Sequence, residues 1–209
     1  MIRVTVLVLA LALTGCGSVR EHGTATLWVT RDHGSDVVFT GTVPAGLTAM
    51  QALERVQKVS TRYGGRYVQS IGGVSGSLSG ERDWFYFVNG IEEDVGAAEF
   101  RLHPGDVEWW DYRSWAHGQM SVPVVVGAWP RPVEGNVSVS GAEPAARLLA
   151  RALHANGGAN RVIVSTTPVV FHGARTSGHF TFWISARDAI RLAKDPKLAR
   201  FRYEGLNGG

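Results

Sequence analysis

Trp84, Tyr86, Trp109, Trp110, Tyr112 and Trp115 crowd into one stretch of the chain, with Trp129 not far behind. Such rings do not make or break bonds. Their chemistry is contact: large, rigid area at small entropic cost, with indole N–H and phenol O–H tips that can orient a ligand. A flat macrocycle, a sugar chain or a protein surface would each exploit a face of this kind. The same rings also serve as core, and from the residues alone both readings stay open. Alternation along "VEWWDY" puts Val107, Trp109 and Asp111 on one side and Glu108, Trp110 and Tyr112 on the other.

Residues for other chemistry are sparse. The six Gly between Gly64 and Gly80 are followed by no Lys-Ser/Thr pair, so they make no phosphate loop, and G-x-S-x-G is absent. Glu92, Glu93 and Asp94 follow the Asn89-Gly90 turn and read as a solvated turn rather than a calcium site. His172 and His179 flank "GARTSG" and could meet across a hairpin, but no third ligand keeps metal-like spacing with them. The chain is therefore read as no enzyme, requiring no metal or cofactor.

At the start of the 209-residue chain, Arg3 precedes the apolar run Val4–Leu13, which has the length of a signal-peptide core and is too short to span a bilayer. Leu13-Thr14-Gly15-Cys16 resembles the bacterial lipobox. Cys16 is the only cysteine. It is expected to carry the lipid, after a signal peptide over 1–15 and before a tether over 16–23. The protein would then sit at the cell membrane on its extracytoplasmic face, where two or three acyl chains hold well. Charge divides unevenly: residues 1–121 carry 10 Lys/Arg against 13 Asp/Glu, and residues 122–209 carry 11 against 5. The asymmetry supports a boundary near 121 and points the basic half toward an acidic partner or anionic envelope component, not nucleic acid.

Element by element, "TATLWVTRD" and "VVFTGTV" read as a hairpin. Thr48 and Gln51 form a capping box, and Met50, Leu53, Val56 and Tyr63 recur at helical spacing, which predicts about four turns stopped by Gly64-Gly65. "RYVQSIGGV", "WFYFV" and "DVEWWDYR" follow as strands. The result is a ββαββ unit over 24–121, whose single helix covers one sheet face. The other face needs the second half of the chain, or a ligand, to cover it. Residues 122–209 read as a second, small α+β domain: strands "NVSVS", "RVIVS", "PVVF" and "FTFWIS", helices after Pro144 and Ser185, and a frayed tail "FRYEGLNGG". The fold class is α+β.

Asp83 to Trp115 resembles the transcobalamin-like C-terminal domain of bacterial lipoproteins, a domain of unknown function of soluble-ligand-binding β-grasp type. The matching residues are Trp84, Tyr86, Val88, Asn89 and Gly90, then Gly96, Phe100, Leu102, Gly105-Asp106 and "WWDYRSW". The resemblance implies a β-grasp fold and a corrinoid (cobalamin) as ligand, contacted by Trp84, Tyr86, Asn89, Trp109, Trp110, Tyr112 and Trp115, with His117 near enough to serve as an axial ligand. It also implies delivery to a membrane transporter. The large helical partner of transcobalamin has no counterpart here. The competing expectation is a non-catalytic envelope interaction or scaffold protein in which the rings are core.

Overall fold

The computed structural model describes residues 23–118 and 120–208. The expected signal peptide, Cys16 and its tether up to residue 22 lie outside the described residues, as does the side chain of His117. Strands β1 (Thr24–Arg31) and β2 (Asp36–Pro44) form the expected hairpin. Helix α1 (Ala49–Glu54) starts at the expected box: Thr48 Oγ1 accepts from the Gln51 amide at 3.2 Å, and Gln51 Oε1 accepts from the Thr48 amide at 3.0 Å.

Here the structure departs from the expected four turns. The helix spans 6 residues, and the β-branched Val59 and Thr61 take the chain into an extended path. Gly64-Gly65 is a hairpin turn between β3 (Val59–Arg62) and β4 (Tyr67–Ile71), not a helix stop. A second turn at Gly72-Gly73 leads to the short β5 (Val74–Ser75) and closes a three-stranded sheet.

Strands β6 (Arg82–Val88), β7 (Ile91–Glu92) and β8 (Val107–Ser114) complete the first sheet in the order β2-β1-β8-β6-β7, with β1 and β8 parallel at its centre. The second sheet follows from β9 (Val137–Gly141), α2 (Ala145–Ala152), β10 (Asn160–Ser165), β11 (His172–Thr176), β12 (His179–Ser185) and α3 (Ala186–Lys194). Its order is β11-β12-β10-β9, with β9, β10 and β12 parallel and β11 antiparallel. The chain is thus α+β, mostly sheet with three short helices. "PVVF" is no strand; β11 is the following "HGART". No helix among the described residues is long and apolar enough to cross a membrane.

On the face of the first sheet beneath α1 and the three-stranded sheet lie Leu27, Val29, Trp84, Val88 and Trp110, packed against Ala49, Leu53, Val68 and Ile71. The opposite face carries Trp28, Phe87 and Trp109. Its cover comes from Val125, Ala128, Phe201 and Tyr203. The tail expected to fray is therefore packed: Tyr203 meets the Trp109 ring edge-on at 5.3 Å, and Phe201 meets Trp28 at 4.7 Å. Close approach needs glycine beneath the tail. A Cβ on Gly127 would come within 2.6 Å of the Trp109 ring and 2.9 Å of the Arg202 carbonyl.

Candidate functional site

The seven residues expected to contact a ligand divide between the two faces. Beneath the helix, Tyr86 stacks on Trp110 with centroids 5.0 Å apart, and Trp84 packs on Tyr112 at 5.2 Å. Cross-strand register explains both pairs, since Trp84 stands opposite Tyr112 and Tyr86 opposite Trp110. Their polar tips are already engaged. Trp84 Nε1 donates to the Val74 carbonyl at 2.8 Å, Tyr112 Oη to the Ser75 carbonyl at 3.0 Å, Trp110 Nε1 to Glu108 at 2.6 Å, and Tyr86 Oη to the Val95 carbonyl. Asn89 is a turn residue with φ near +54°, donating to Asp106 at 2.8 Å and accepting from the Val107 amide at 2.9 Å. Trp115 is half-buried at the end of β8. Trp109 lies on the far face, fully buried.

The far face is pinned by a polar network that the sequence left unread. Asp111, fully buried, accepts from Thr30 Oγ1 at 2.5 Å, the His33 and Gly34 amides at 3.0 Å each, and Tyr203 Oη at 3.1 Å. Trp109 Nε1 donates to Thr30 Oγ1 at 2.7 Å. Arg113 lies over the Phe85 ring at 3.7 Å. Burial, with Asp111 beside it, holds the Tyr203 hydroxyl well above its ordinary value. Trp84, Trp109 and Trp110 are thus buried while Tyr86, Tyr112 and Trp115 stay partly exposed, and a flat macrocycle would have to displace Phe201 and Tyr203 to reach Trp109.

A second buried acid stands on the helix side. Glu108 is fully buried and accepts from Trp110 through one oxygen, while Oε2 has no hydrogen-bond partner. Burial pushes its carboxyl up to about 8, against the opposing pull of the Trp110 hydrogen bond. In the turn cluster, burial and then Asp94 push Glu93 up to about 7, while Glu92 accepts from Ser121 Oγ at 2.6 Å and Asp94 pairs with Arg175 at 3.2 Å. No metal-holding group of His, Cys, Asp or Glu occurs among the described residues. His172 and His179 do not meet: the hairpin register sets His172 opposite Trp183, on which it stacks at 5.1 Å, and His179 opposite Thr176.

What the fold does create is a cleft of about 300 Å3 where the two sheets adjoin, lined by Trp28, Trp129, Arg131, Lys197 and Arg200. No acidic residue lines it. The Arg200 guanidinium lies over Trp28 at 5.1 Å and over Phe201 at 4.7 Å, and donates to Thr40 Oγ1 at 2.9 Å. Its buried Nε and the buried Trp28 Nε1 have no acceptor in the protein. Lys197 has no side-chain partner among the described residues, and Arg131 bonds only to the exposed Glu134, at 2.8 Å. A larger cleft of about 610 Å3 lies beyond the ends of β10 and β12, between Thr166–Phe171 and the start of α3. Its lining brings Arg187 and Arg191 together with Asp188, which pairs with Arg191 at 3.1 Å, so unlike the junction cleft it contains an acid. The junction residues escaped the sequence reading. The visible signal was the alternation of cation and ring in Arg200-Phe201-Arg202-Tyr203.

Residues 46–114 match the family model described as a domain of unknown function, DUF4430. No curated protein matches the chain. Among solved structures, a candidate metal-binding protein from Ruminococcus gnavus aligns at 11% identity and a TM-score of 0.36, covering 44% of this chain and 98% of that one. Haptocorrin in complex with Cbi aligns at 15% identity and a TM-score of 0.38, covering 47% of this chain and 27% of that one. Likeness at this level transfers neither ligand nor metal.

Proposed function

We propose that this is a non-catalytic binding protein, tethered through Cys16 at the extracytoplasmic face of a membrane, that holds a small anionic molecule in the junction cleft. The observation that carries the reading is the convergence of Arg131, Lys197 and Arg200 on one cleft without an acid. Guanidinium and ammonium groups favour carboxylate and phosphate oxygens, and the indole floor excludes water around them. The cleft lies at the small end of ligand-site volumes, which suits a single phosphate, a carboxylate or a small acidic head. The tether rests on the lipobox residues, and transfer of the ligand to a transporter would follow from it.

Isothermal titration with inorganic phosphate and with a phosphomonoester tests the reading. Saturable binding is expected, weakened roughly tenfold by Lys197→Ala and by Arg200→Gln, in proportion to one charge-assisted hydrogen bond each. Cobalamin titrated in parallel is expected to give no saturable heat. Absence of phosphate binding at tens of millimolar, or binding indifferent to both substitutions, would remove the anion site.

A further inference from the structure

Residues 55–80 carry Arg55, Lys58, Arg62 and Arg66 and no Asp or Glu, although the half to which they belong is net acidic. All four cations are exposed, and none has an ion-pair partner among the described residues. Arg55 caps the end of α1, Lys58 precedes β3, Arg62 ends β3 and Arg66 lies in the β3–β4 turn, and three of the four β3 positions are exposed. At its turn, Tyr63 and Tyr67 form an edge-on pair at 6.2 Å, with Tyr63 78% and Tyr67 36% exposed. Leu78, 86% exposed, tips the loop that Ser77 and Arg82 close, next to the Asp83 that accepts from Tyr67 Oη. Large apolar and aromatic groups left in water together need a reason.

We infer that this hairpin docks on an anionic phospholipid surface, independently of the junction cleft. The charge is complementary: four unpaired cations meet a surface of negative headgroups, which attracts each of them. Tyrosine rings settle at headgroup depth, apolar side chains enter below it, and arginine stems reach back to phosphate. The hairpin region offers two things, cations without ion-pair partners and exposed apolar and aromatic groups. The lipid surface uses both.

Sedimentation of residues 17–209, which keep every strand and helix but no acyl chain, with phosphatidylcholine vesicles with and without phosphatidylglycerol tests this. Binding is expected only with phosphatidylglycerol, and salt should weaken it. Arg62→Glu with Arg66→Glu should reduce it at least about tenfold. Tyr63→Asn with Leu78→Ser, chosen because Asn tolerates the left-handed backbone at 63, should also reduce it several-fold. Arg187→Glu, an exposed cation on the second half, should leave it unchanged, and melting curves for each variant report folding separately. No binding to phosphatidylglycerol at low salt overturns the inference. So does binding that the hairpin substitutions spare, or that Arg187→Glu diminishes as much.

Discussion

Strands β6 and β8 of the first sheet bury side chains on both faces, whereas β10 and β12 of the second bury alternate positions only. In β8, Glu108, Trp109, Trp110 and Asp111 are all buried. In β10 and β12, Val162, Val164, Phe182 and Ile184 are buried while Ile163, Thr181 and Trp183 stay half-exposed and Arg161 is exposed. The second sheet rests its apolar face on α2 and α3 and leaves the other open. The first has α1 and the small sheet on one side and, on the other, residues that arrive from the far end of the chain. Strands without alternation therefore signal a second cover. In this protein the chain's own connector and tail supply that cover.

Substitutions can break or sharpen that contrast. The largest loss should follow Asp111→Ala, which leaves Thr30, two backbone amides and Tyr203 without their acceptor. About 4 kcal/mol is expected in chemical denaturation, in the range for breaking a buried charged network. A loss under 1 kcal/mol would mean that the network does not hold the tail. Phe201→Ala with Tyr203→Ala should cost about 3 kcal/mol by opening the cover over Trp28 and Trp109. A frayed tail would make that pair silent.

Glu108→Gln probes the helix side of the same sheet through pH. The folded-state value of about 8 lies above the ordinary 4.5. The native carboxyl therefore keeps a proton that the unfolded chain releases, so stability is full below about pH 4.5 and falls as pH rises toward 8. Glu93, raised to about 7, adds a fall over the narrower window below that value. Between pH 6 and 8 the native chain should lose about 2 kcal/mol more than the Glu108→Gln variant, at about 1.4 kcal/mol per unit. Parallel pH profiles for the two proteins would refute a buried neutral acid. Smallest of all, Trp183→Ala on the open face of the second sheet should cost about 1 kcal/mol, because part of its surface is already in water. A cost matching that of the tail pair would erase the difference between the sheets.

Where two-residue periodicity speaks, the sequence was legible. The β1–β2 hairpin, β6, β8 and β12 stand where they were read, and Trp109 and Trp110 do point to opposite faces. Helix spacing misled at Tyr63, which fits a helical stripe but lies beyond Val59 and Thr61, whose branching prefers a strand. Strand β11 hid inside "HGART" because Gly173 looks like a breaker. Its missing side chain makes room for the Phe182 ring, whose Cε1 would sit 2.4 Å from a Cβ there. Nothing local could show that "FRYEGLNGG" is held, since its partners lie at Trp28, Trp109 and Asp111. For the same reason the junction cleft, assembled from Trp28, Arg131 and Arg200, has no motif.

Fluorine NMR of the chain carrying 5-fluorotryptophan at its seven Trp positions tests the central claim most directly. Each resonance is assigned by Trp→Phe replacement, and its shift is compared between H2O and D2O. The resonances of Trp28, Trp84, Trp109 and Trp110 should show almost no solvent isotope shift, with that of Trp109 becoming sensitive in Phe201→Ala/Tyr203→Ala. A full isotope shift for Trp109 in the intact chain would mean that the far face is open, and would return the aromatic surface to the role of ligand site.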